Sequence, residues 1–142
     1  MEANPDTAGY VAHITIGTPT TTLTHIIGVY MPSDKPAARK AAYTYIENQT
    51  QQCNGTSHTL LVAGDWNATL HPTDMSEGNH NTADQQHANK CMDMQLKSIS
   101  GPAREHTYHC YEHHALQHSS RIDDIYIFPP QPAAHAQSNA KK

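Results

Sequence analysis

The stretch from Leu60 to Leu70, LLVAGDWNATL, constrains the fold of this chain more than any other. It opens with an apolar run that is typical of a buried strand, and the run ends at Gly64, where the backbone turns without a steric penalty. Asp65 and Asn67 follow two residues apart, so a strand continuing this far would place both side chains on one face. A carboxylate and an amide there can hold a water molecule or a metal-bound phosphate. The alternative is a strand that ends in an Asx-turn.

Alternating residues and turn signals predict a β-hairpin ahead of this stretch. Residues 10–16 alternate in polarity, a turn rich in Thr and Pro follows, and residues 23–31 form the more apolar partner strand. A helix is then expected over residues 37–51, because the preceding SDKP run combines capping residues with an early Pro. The apolar positions of this helix place Arg39 on its outer side.

The second half of the chain alternates between loops and short elements. A capping box in TADQ predicts a helix over residues 83–97, with Ala88, Cys91, Met92 and Leu96 on its apolar side. The expected strands are residues 59–63, 106–111 and 122–128, with a His-rich loop that runs to His118 between the last two.

The composition limits both the core and the partners. The chain has 142 residues, of which 37% are hydrophobic, with one Phe and one Trp against 12 His. This small apolar supply predicts a marginal core or a piece of a larger domain. The formal net charge of −4 provides no global basic field for nucleic acid, although bound cations allow an acidic protein to act on it.

Cysteine usage and hydropathy indicate the compartment. The three cysteines, Cys53, Cys91 and Cys110, are odd in number and far apart, which favours a reducing, intracellular compartment over a disulfide framework. We expect no signal peptide and no membrane contact, because no apolar run reaches the length of a membrane span.

Four motifs in a fixed order carry a resemblance to a known family. They are IIGVYMP at residues 26–32, GDWN at 64–67, HTY at 106–108 and SSRID at 119–123. Together they resemble the endonuclease/exonuclease/phosphatase family, of the deoxyribonuclease I type, and especially the endonuclease domains of non-LTR retroelements. The ARK at residues 38–40 and the HPTD at 71–74 also look like that subgroup.

The likeness runs from about Ile14 to Phe128 and implies the fold class. It implies an α+β fold that is part of a four-layer α/β/β/α sandwich, with a mixed, mostly antiparallel sheet and helices on one face. A sandwich that lacks its second sheet should leave the other face of the first sheet apolar and exposed.

The resemblance also implies a role for each matched residue. Asp65 would orient and deprotonate the attacking water, Asn67 would hydrogen-bond that water, and both would be weak ligands of Mg²⁺ or Mn²⁺. Tyr30 would contact the phosphate, and Asp123 would orient a catalytic histidine. These four side chains should therefore converge at one end of the sheet. From the residue alone, a core tyrosine at a strand end is the favoured interpretation of Tyr30, and the other motif matches make the two interpretations about equal.

Three further residues match positions that bind substrate in the family: Thr107, Tyr108 and Arg121. From the residues alone, Thr107 and Tyr108 are also compatible with a cross-strand packing pair, and Arg121 with a structural ion pair.

Two family features have no counterpart in the sequence. A metal-binding glutamate after an early strand is absent, and so is the Ser-Asp-His motif that carries the catalytic histidine. We therefore expect residues 10–130 to be an incomplete copy of the domain, between a loose segment at 1–9 and a disordered tail at 131–142.

The function implied by the resemblance is metal-dependent phosphodiester hydrolysis, as in a nucleic-acid endonuclease of retroelement type acting on DNA. Such a protein would be nuclear and would work beside other domains of a retroelement polyprotein. The alternative, from a different class, is a non-catalytic remnant of the fold that acts as a binding or interaction module.

A third hypothesis comes from the density of histidines between His106 and His118. Imidazole and the thiol of Cys110 suit Zn²⁺ or Ni²⁺, but their spacing fits no closed four-ligand pattern. Adventitious binding is the simpler interpretation.

Overall fold

The chain folds as a mixed α+β unit in the computed structural model, which describes residues 9–18, 20, 22–100 and 105–128. The expected loose start and disordered tail lie outside the described residues, apart from Gly9. The elements in order are β1 (Val11–Ile16), β2 (Thr24–Tyr30), α1 (Pro36–Cys53), β3 (Thr59–Asp65), a 3₁₀ turn (Pro72–Asp74), α2 (Thr82–Asp93), β4 (Lys97–Ser98), β5 (Tyr108–Glu112), β6 (Ala115–Ser120) and β7 (Asp123–Phe128).

Five strands form one sheet in the order β1-β2-β3-β7-β4. The β2–β3 pair is parallel and the other three pairs are antiparallel, so the expected mixed, mostly antiparallel sheet is confirmed. The long apolar run of β3 is central because it has a neighbour on each side. The predicted hairpin of β1 and β2 is also present.

One face of the sheet is covered by both helices. Alternate residues of β2, β3 and β7 pack there against α1 and α2 in a single buried cluster, which includes Ile27, Leu60, Tyr43, Cys91 and Tyr126. This face holds the core, and it includes the only Trp of the chain, Trp66, which is fully buried.

The opposite face of the sheet is apolar and open. Ile14 and Ile16 of β1 are 54% and 55% exposed, and Ile125 of β7 is 42% exposed. Strand register aligns Ile14 with Ile26 and Leu61 with Ile127 on this same face. Helices on one face and an exposed apolar second face agree with the prediction from the resemblance.

The second helix differs from its prediction at both ends. Asn81, not Thr82, is the N-cap, and it exchanges hydrogen bonds with Asp84 in a capping box. The helix ends near residue 94 instead of 97, because Gln95 adopts a left-handed φ of 57°. The amide of Leu96 then donates to the carbonyl of Cys91 (2.9 Å), which is the Schellman pattern.

The buried side of this helix was predicted only in part. Cys91 and Leu96 are buried as expected, but Met92 is 70% exposed, and the polar residues Asp84 and His87 are buried instead. Both ring nitrogens of His87 are hydrogen-bonded to tyrosine hydroxyls, those of Tyr43 and Tyr126, each at 2.9 Å. A satisfied imidazole therefore fills a core position for which the sequence has few apolar residues.

The His-rich segment is a hairpin and not a loop. Strands β5 and β6 pair with each other as a separate two-stranded sheet. His113 and His114 form the two-residue turn, with φ of 51° and 63°, as a type I′ turn requires. The first predicted strand of this region begins two residues later than expected, at Tyr108.

Candidate functional site

Three of the predicted site residues lie side by side at one end of the open face. Asp65 is the last residue of β3, and its register partners are Tyr30 at the end of β2 and Asp123 at the start of β7. Residues that are paired across adjacent strands have side chains about 5 Å apart on one face. We call these three residues the acidic row. The backbone therefore brings these three residues together at one end of the sheet, as predicted.

Gly64 allows β3 to reach the acidic row. Its φ is 153°, and a Cβ on it would lie 1.9 Å from the carbonyl oxygen of Val29. Only glycine permits this approach of β2 to β3, which places Asp65 opposite Tyr30.

Asn67 is held beside the acidic row by two hydrogen bonds. Its backbone amide donates to Oδ1 of Asp65 (2.9 Å), and its side-chain Nδ2 donates to the carbonyl of Met31 (2.7 Å). Its φ of 45° is left-handed, which Asn tolerates better than most residues. The Asx-turn, which was the alternative interpretation of Asp65 and Asn67, is therefore present together with the acidic row. No other described residue bonds the second amide hydrogen or Oδ1 of Asn67, so both are available to a water molecule.

The electrostatics of the row favour a cation or a proton. Partial burial raises the pKa of Asp65, the Asp123 carboxylate raises it further, and the Asn67 amide acts in the opposite direction. Within the described residues, neither carboxylate forms an ion pair with Lys, Arg or His. Two neighbouring carboxylates with no cationic partner supply the oxygen ligands that Mg²⁺ and Mn²⁺ prefer.

The row has an aromatic and cationic neighbour that the sequence analysis missed. Tyr30 is 53% exposed, which excludes a core tyrosine. Its ring stacks on that of Tyr10 (centroids 6.5 Å apart, planes at 16°). Lys35 Nζ donates to the Tyr10 hydroxyl at 3.1 Å. The predicted pairing of residues 10–16 with 23–31 places Tyr10 near the end of β2, but it does not fix the register that brings Tyr10 beside Tyr30.

Thr107 joins the site through the backbone. Its Oγ1 accepts hydrogen bonds from the amides of Ile122 (3.2 Å) and Asp123 (3.1 Å), so it fixes the start of β7 beside the row. Tyr108 lies on β5, 43% exposed, with its ring 6.0 Å from that of His118. The structure thus connects Thr107 to the row and places Tyr108 on the neighbouring hairpin.

Arg121 does not join the row. Its Nη2 lies 3.5 Å from Oδ1 of the buried Asp124 and also contacts Ser100 Oγ, while Nη1 donates to the carbonyl of Glu105 (3.0 Å). Ser98 Oγ donates to the same carboxylate. This arrangement corresponds to the structural ion-pair alternative.

Arg39 is a positioning residue that the sequence analysis placed on the wrong side of α1. It is 8% exposed, and its Nη1 donates to the carbonyls of Pro32 (3.1 Å) and Trp66 (3.4 Å). These carbonyls lie just after Tyr30 and Asp65 in the chain. Arg39 therefore holds the ends of β2 and β3, which carry two residues of the acidic row, next to each other. The sequence does not distinguish a buried Arg next to the apolar side of a helix from an exposed one.

No group of three His, Cys, Asp or Glu side chains in the described part of the chain converges closely enough to hold a metal ion by itself. This covers the described histidines of the β5–β6 hairpin as well as the acidic row. None of the described helices is long and apolar enough to cross a membrane.

Comparison with solved structures identifies the fold. The endonuclease domain of TRAS1, a telomere-specific non-LTR retrotransposon, matches with a TM-score of 0.64 and 16% identity over 82% of this chain. An AP endonuclease from Archaeoglobus fulgidus matches with a TM-score of 0.49 and 18% identity over 75% of the chain. The chain spans 49% of the length of each. No protein-family model and no curated protein matches the sequence. The likeness to the retrotransposon domain shows an endonuclease/exonuclease/phosphatase-like, deoxyribonuclease I-like fold.

Proposed function

We propose that this chain, which has an endonuclease/exonuclease/phosphatase-like fold, carries the water-activating residues of a divalent-metal-dependent phosphodiester hydrolase for nucleic acid. The observation that carries the proposal is the acidic row, in which Tyr30, Asp65 and Asp123 stand on adjacent strands at one end of one face.

The roles of the residues follow from the chemistry of phosphodiester hydrolysis. That reaction needs an oriented, deprotonated water and neutralisation of the phosphoryl oxygens. Asp65 orients the water and accepts its proton, and its raised pKa brings this base closer to neutral pH. Asn67 hydrogen-bonds the water without adding negative charge, and the Tyr30 hydroxyl donates to a phosphate oxygen.

Asp65 and Asp123, assisted by Oδ1 of Asn67, are the residues that would hold Mg²⁺ or Mn²⁺. Their adjacency, with no cationic partner in the described part of the chain, fits a hard, oxygen-preferring cation. Such a cation supplies Lewis-acid neutralisation of the phosphoryl charge when it is bound.

Nucleic acid is the substrate class that the surroundings of the row favour. The stacked Tyr10 and Tyr30 offer a platform for an unpaired base, and the ammonium group of Lys35 beside them suits a backbone phosphate. The fold shared with a retrotransposon endonuclease domain supports DNA as the polymer, and with it a nuclear site of action alongside other retroelement domains.

Binding of DNA in the presence of Mn²⁺ tests the proposal. Fluorescence anisotropy with a labelled abasic duplex should show a several-fold tighter complex when Mn²⁺ replaces an equal ionic strength of NaCl. Asp65→Asn and Asp123→Asn should remove this gain, whereas Asp93→Asn, an exposed aspartate at the end of α2, should keep it. An equal Mn²⁺ response in all four proteins would refute the proposal.

A non-catalytic binding module is the second candidate, and the open apolar face of the sheet favours it. Cleavage of supercoiled and abasic DNA would exclude the binding module, whereas background turnover is compatible with both candidates. In the described residues no histidine contacts Asp123 and no third carboxylate joins the row. We therefore expect metal-dependent cleavage at the background rate for both wild type and Asp65→Ala. In a complete site, removal of the general base would lower the cleavage rate on the order of 10²–10⁴-fold. Robust cleavage that Asp65→Ala removes would exclude the binding module and show that other groups, such as Glu77, Asp74 or the His106–His118 segment, complete the site.

A further inference from the structure

Three histidines form a second cluster at the end of the sheet remote from the acidic row. His13 lies on β1, His25 on β2, and His58 immediately precedes β3. Nε2 of His13 is 3.1 Å from Nδ1 of His25, and Nε2 of His25 is 3.4 Å from Nδ1 of His58. We call this arrangement the histidine row. It lies on the helix-covered face, where His13 is the register partner of the buried Ile27.

His13 and His25 also have hydroxyl groups as neighbours. Nδ1 of His13 is 2.8 Å from the hydroxyl of Tyr45 on α1, and Oγ1 of Thr15 is 3.3 Å from Nδ1 of His25. All of these side chains except Thr15 are only partly exposed. Two imidazole nitrogens and one hydroxyl oxygen thus face one small volume between β1 and β2.

We propose that Nε2 of His13 and Nδ1 of His25 are the two protein ligands of an open transition-metal site, of the Zn²⁺, Ni²⁺ or Cu²⁺ class. Two nitrogens bound to a tetrahedral zinc at about 2.0–2.1 Å stand about 3.3 Å apart, and the observed separation is 3.1 Å. Metal binding requires both lone pairs to turn from each other toward a shared ion. Water completes the coordination, with Thr15 Oγ1 within reach.

The neighbours of the pair are those expected around metal-bound imidazoles. A histidine ligand usually donates its other ring N–H to a fixed acceptor, which sets the tautomer and the ring orientation. The Tyr45 hydroxyl can accept from Nδ1 of His13, and Nδ1 of His58 can accept from Nε2 of His25. Each ligand therefore has its own orienting partner, and these partners come from α1 and from the start of β3.

Charge and protonation also suit the site. Burial lowers the pKa of His13 and of His25, and in each case the adjacent imidazole lowers it further, so both are neutral at pH 7. Neutral imidazole is the form that binds metal. One of the two rings donates the hydrogen bond between Nε2 of His13 and Nδ1 of His25, so loading the site requires a tautomer change at that ring, with no net proton release.

The bound ion would join β1, an edge strand with an exposed outer face, to β2. Nitrogen ligands distinguish this site from the acidic row, because carboxylates select Mg²⁺ or Mn²⁺ and imidazoles select Zn²⁺, Ni²⁺ or Cu²⁺. The inference is independent of the proposed hydrolase function.

Isothermal titration of the metal-free full chain with ZnCl₂ at pH 7.5 tests the proposal. Wild type should bind one Zn²⁺ with a dissociation constant that rises at least tenfold in His13→Gln and in His25→Gln. His58→Gln, which removes an orienting partner, should weaken binding by about tenfold. Thermal unfolding should shift upward with Zn²⁺ in wild type and not in His13→Gln, and circular dichroism should confirm that each variant folds.

The matched control is the double variant His113→Gln/His114→Gln, which removes two exposed imidazoles from the hairpin turn. It should bind Zn²⁺ as wild type does. The proposal is overturned if wild type binds no Zn²⁺, or if this double variant loses binding while His13→Gln retains it, since binding would then belong to the hairpin.

Discussion

Protonation of His87 should cost the protein much of its stability in mild acid. Its imidazole is fully buried, and both ring nitrogens are bonded to tyrosine hydroxyls, so a positive charge on the ring would be kept away from water. Burial, followed by the nearby Arg39 guanidinium, lowers the pKa of His87 from 6.5 to about 4. Because each pKa unit corresponds to about 1.4 kcal/mol, the full difference is worth about 3 kcal/mol.

The free energy of unfolding falls in acid because the unfolded chain binds this proton at a higher pH than the native protein does. Below pH 6.5 the unfolded chain takes up a proton on this imidazole, while the native protein does so only near pH 4. The free energy of unfolding therefore falls as the pH is lowered, with about 2 kcal/mol lost between pH 7 and pH 5. A domain with a total stability of about 5–15 kcal/mol would show this clearly.

Urea unfolding at pH 7 and pH 5, followed by the fluorescence of Trp66, measures the effect. The indole centroid lies 4.8 Å from that of His87, so it reports on this part of the core. His87→Gln should lose about 2 kcal/mol less than wild type over this pH range, and His118→Gln, an exposed control, should behave as wild type. His13 and His25 titrate in all three proteins and cancel in the comparison. Equal losses in wild type and His87→Gln would refute the reasoning.

Two further substitutions test the local structure by urea unfolding. Gly64→Ala should destabilise the protein by about 3 kcal/mol or prevent folding, because its Cβ would overlap a backbone carbonyl of β2; a loss under 1 kcal/mol would contradict the strand approach. Asp84→Ala should cost about 2–3 kcal/mol, since its carboxylate accepts from the amides of Thr69 (2.7 Å) and Asn81 (3.0 Å). The exposed Asp93→Ala should change stability by less than about 0.5 kcal/mol, and equal effects of the two aspartates would contradict the assigned cap.

The acidic row was predicted from the family resemblance, and local signals identified the strands that carry two of its residues. The apolar run before Gly64 identifies β3, and the alternation in residues 122–128 identifies β7. The structure shows that the end of β3 pairs with the start of β7, and this register makes Asp65 and Asp123 neighbours. Tyr10 was missed because its position beside Tyr30 depends on the exact register of the β1–β2 hairpin, which a long Thr-rich turn does not specify.

The β5–β6 hairpin was not predicted from the sequence, and the reason is different. Its second strand, Ala115–Ser120, has one large apolar residue, Leu116, and its turn uses two histidines instead of Asn-Gly. Backbone pairing, not side-chain periodicity, stabilises this strand. The end of α2 was misplaced similarly, because Gln95 stands at the left-handed position that Gly usually occupies.

Buried polar residues account for the remaining differences. Arg39, Asp84 and His87 are buried because each satisfies backbone or hydroxyl groups that would otherwise lack partners. Hydrophobic periodicity cannot identify such positions, and it therefore placed Met92 inside and Arg39 outside.

The most direct test of the central claim is the broadening of backbone amide NMR signals by substoichiometric Mn²⁺, which locates the bound cation. We predict that the amides of residues 64–67 and 122–124 broaden first, and that Asp65→Asn abolishes this broadening while the spectrum otherwise remains that of the folded protein. Broadening centred on the His109–His118 hairpin, or on a region that includes neither Asp65 nor Asp123, would contradict a divalent-cation site at the acidic row.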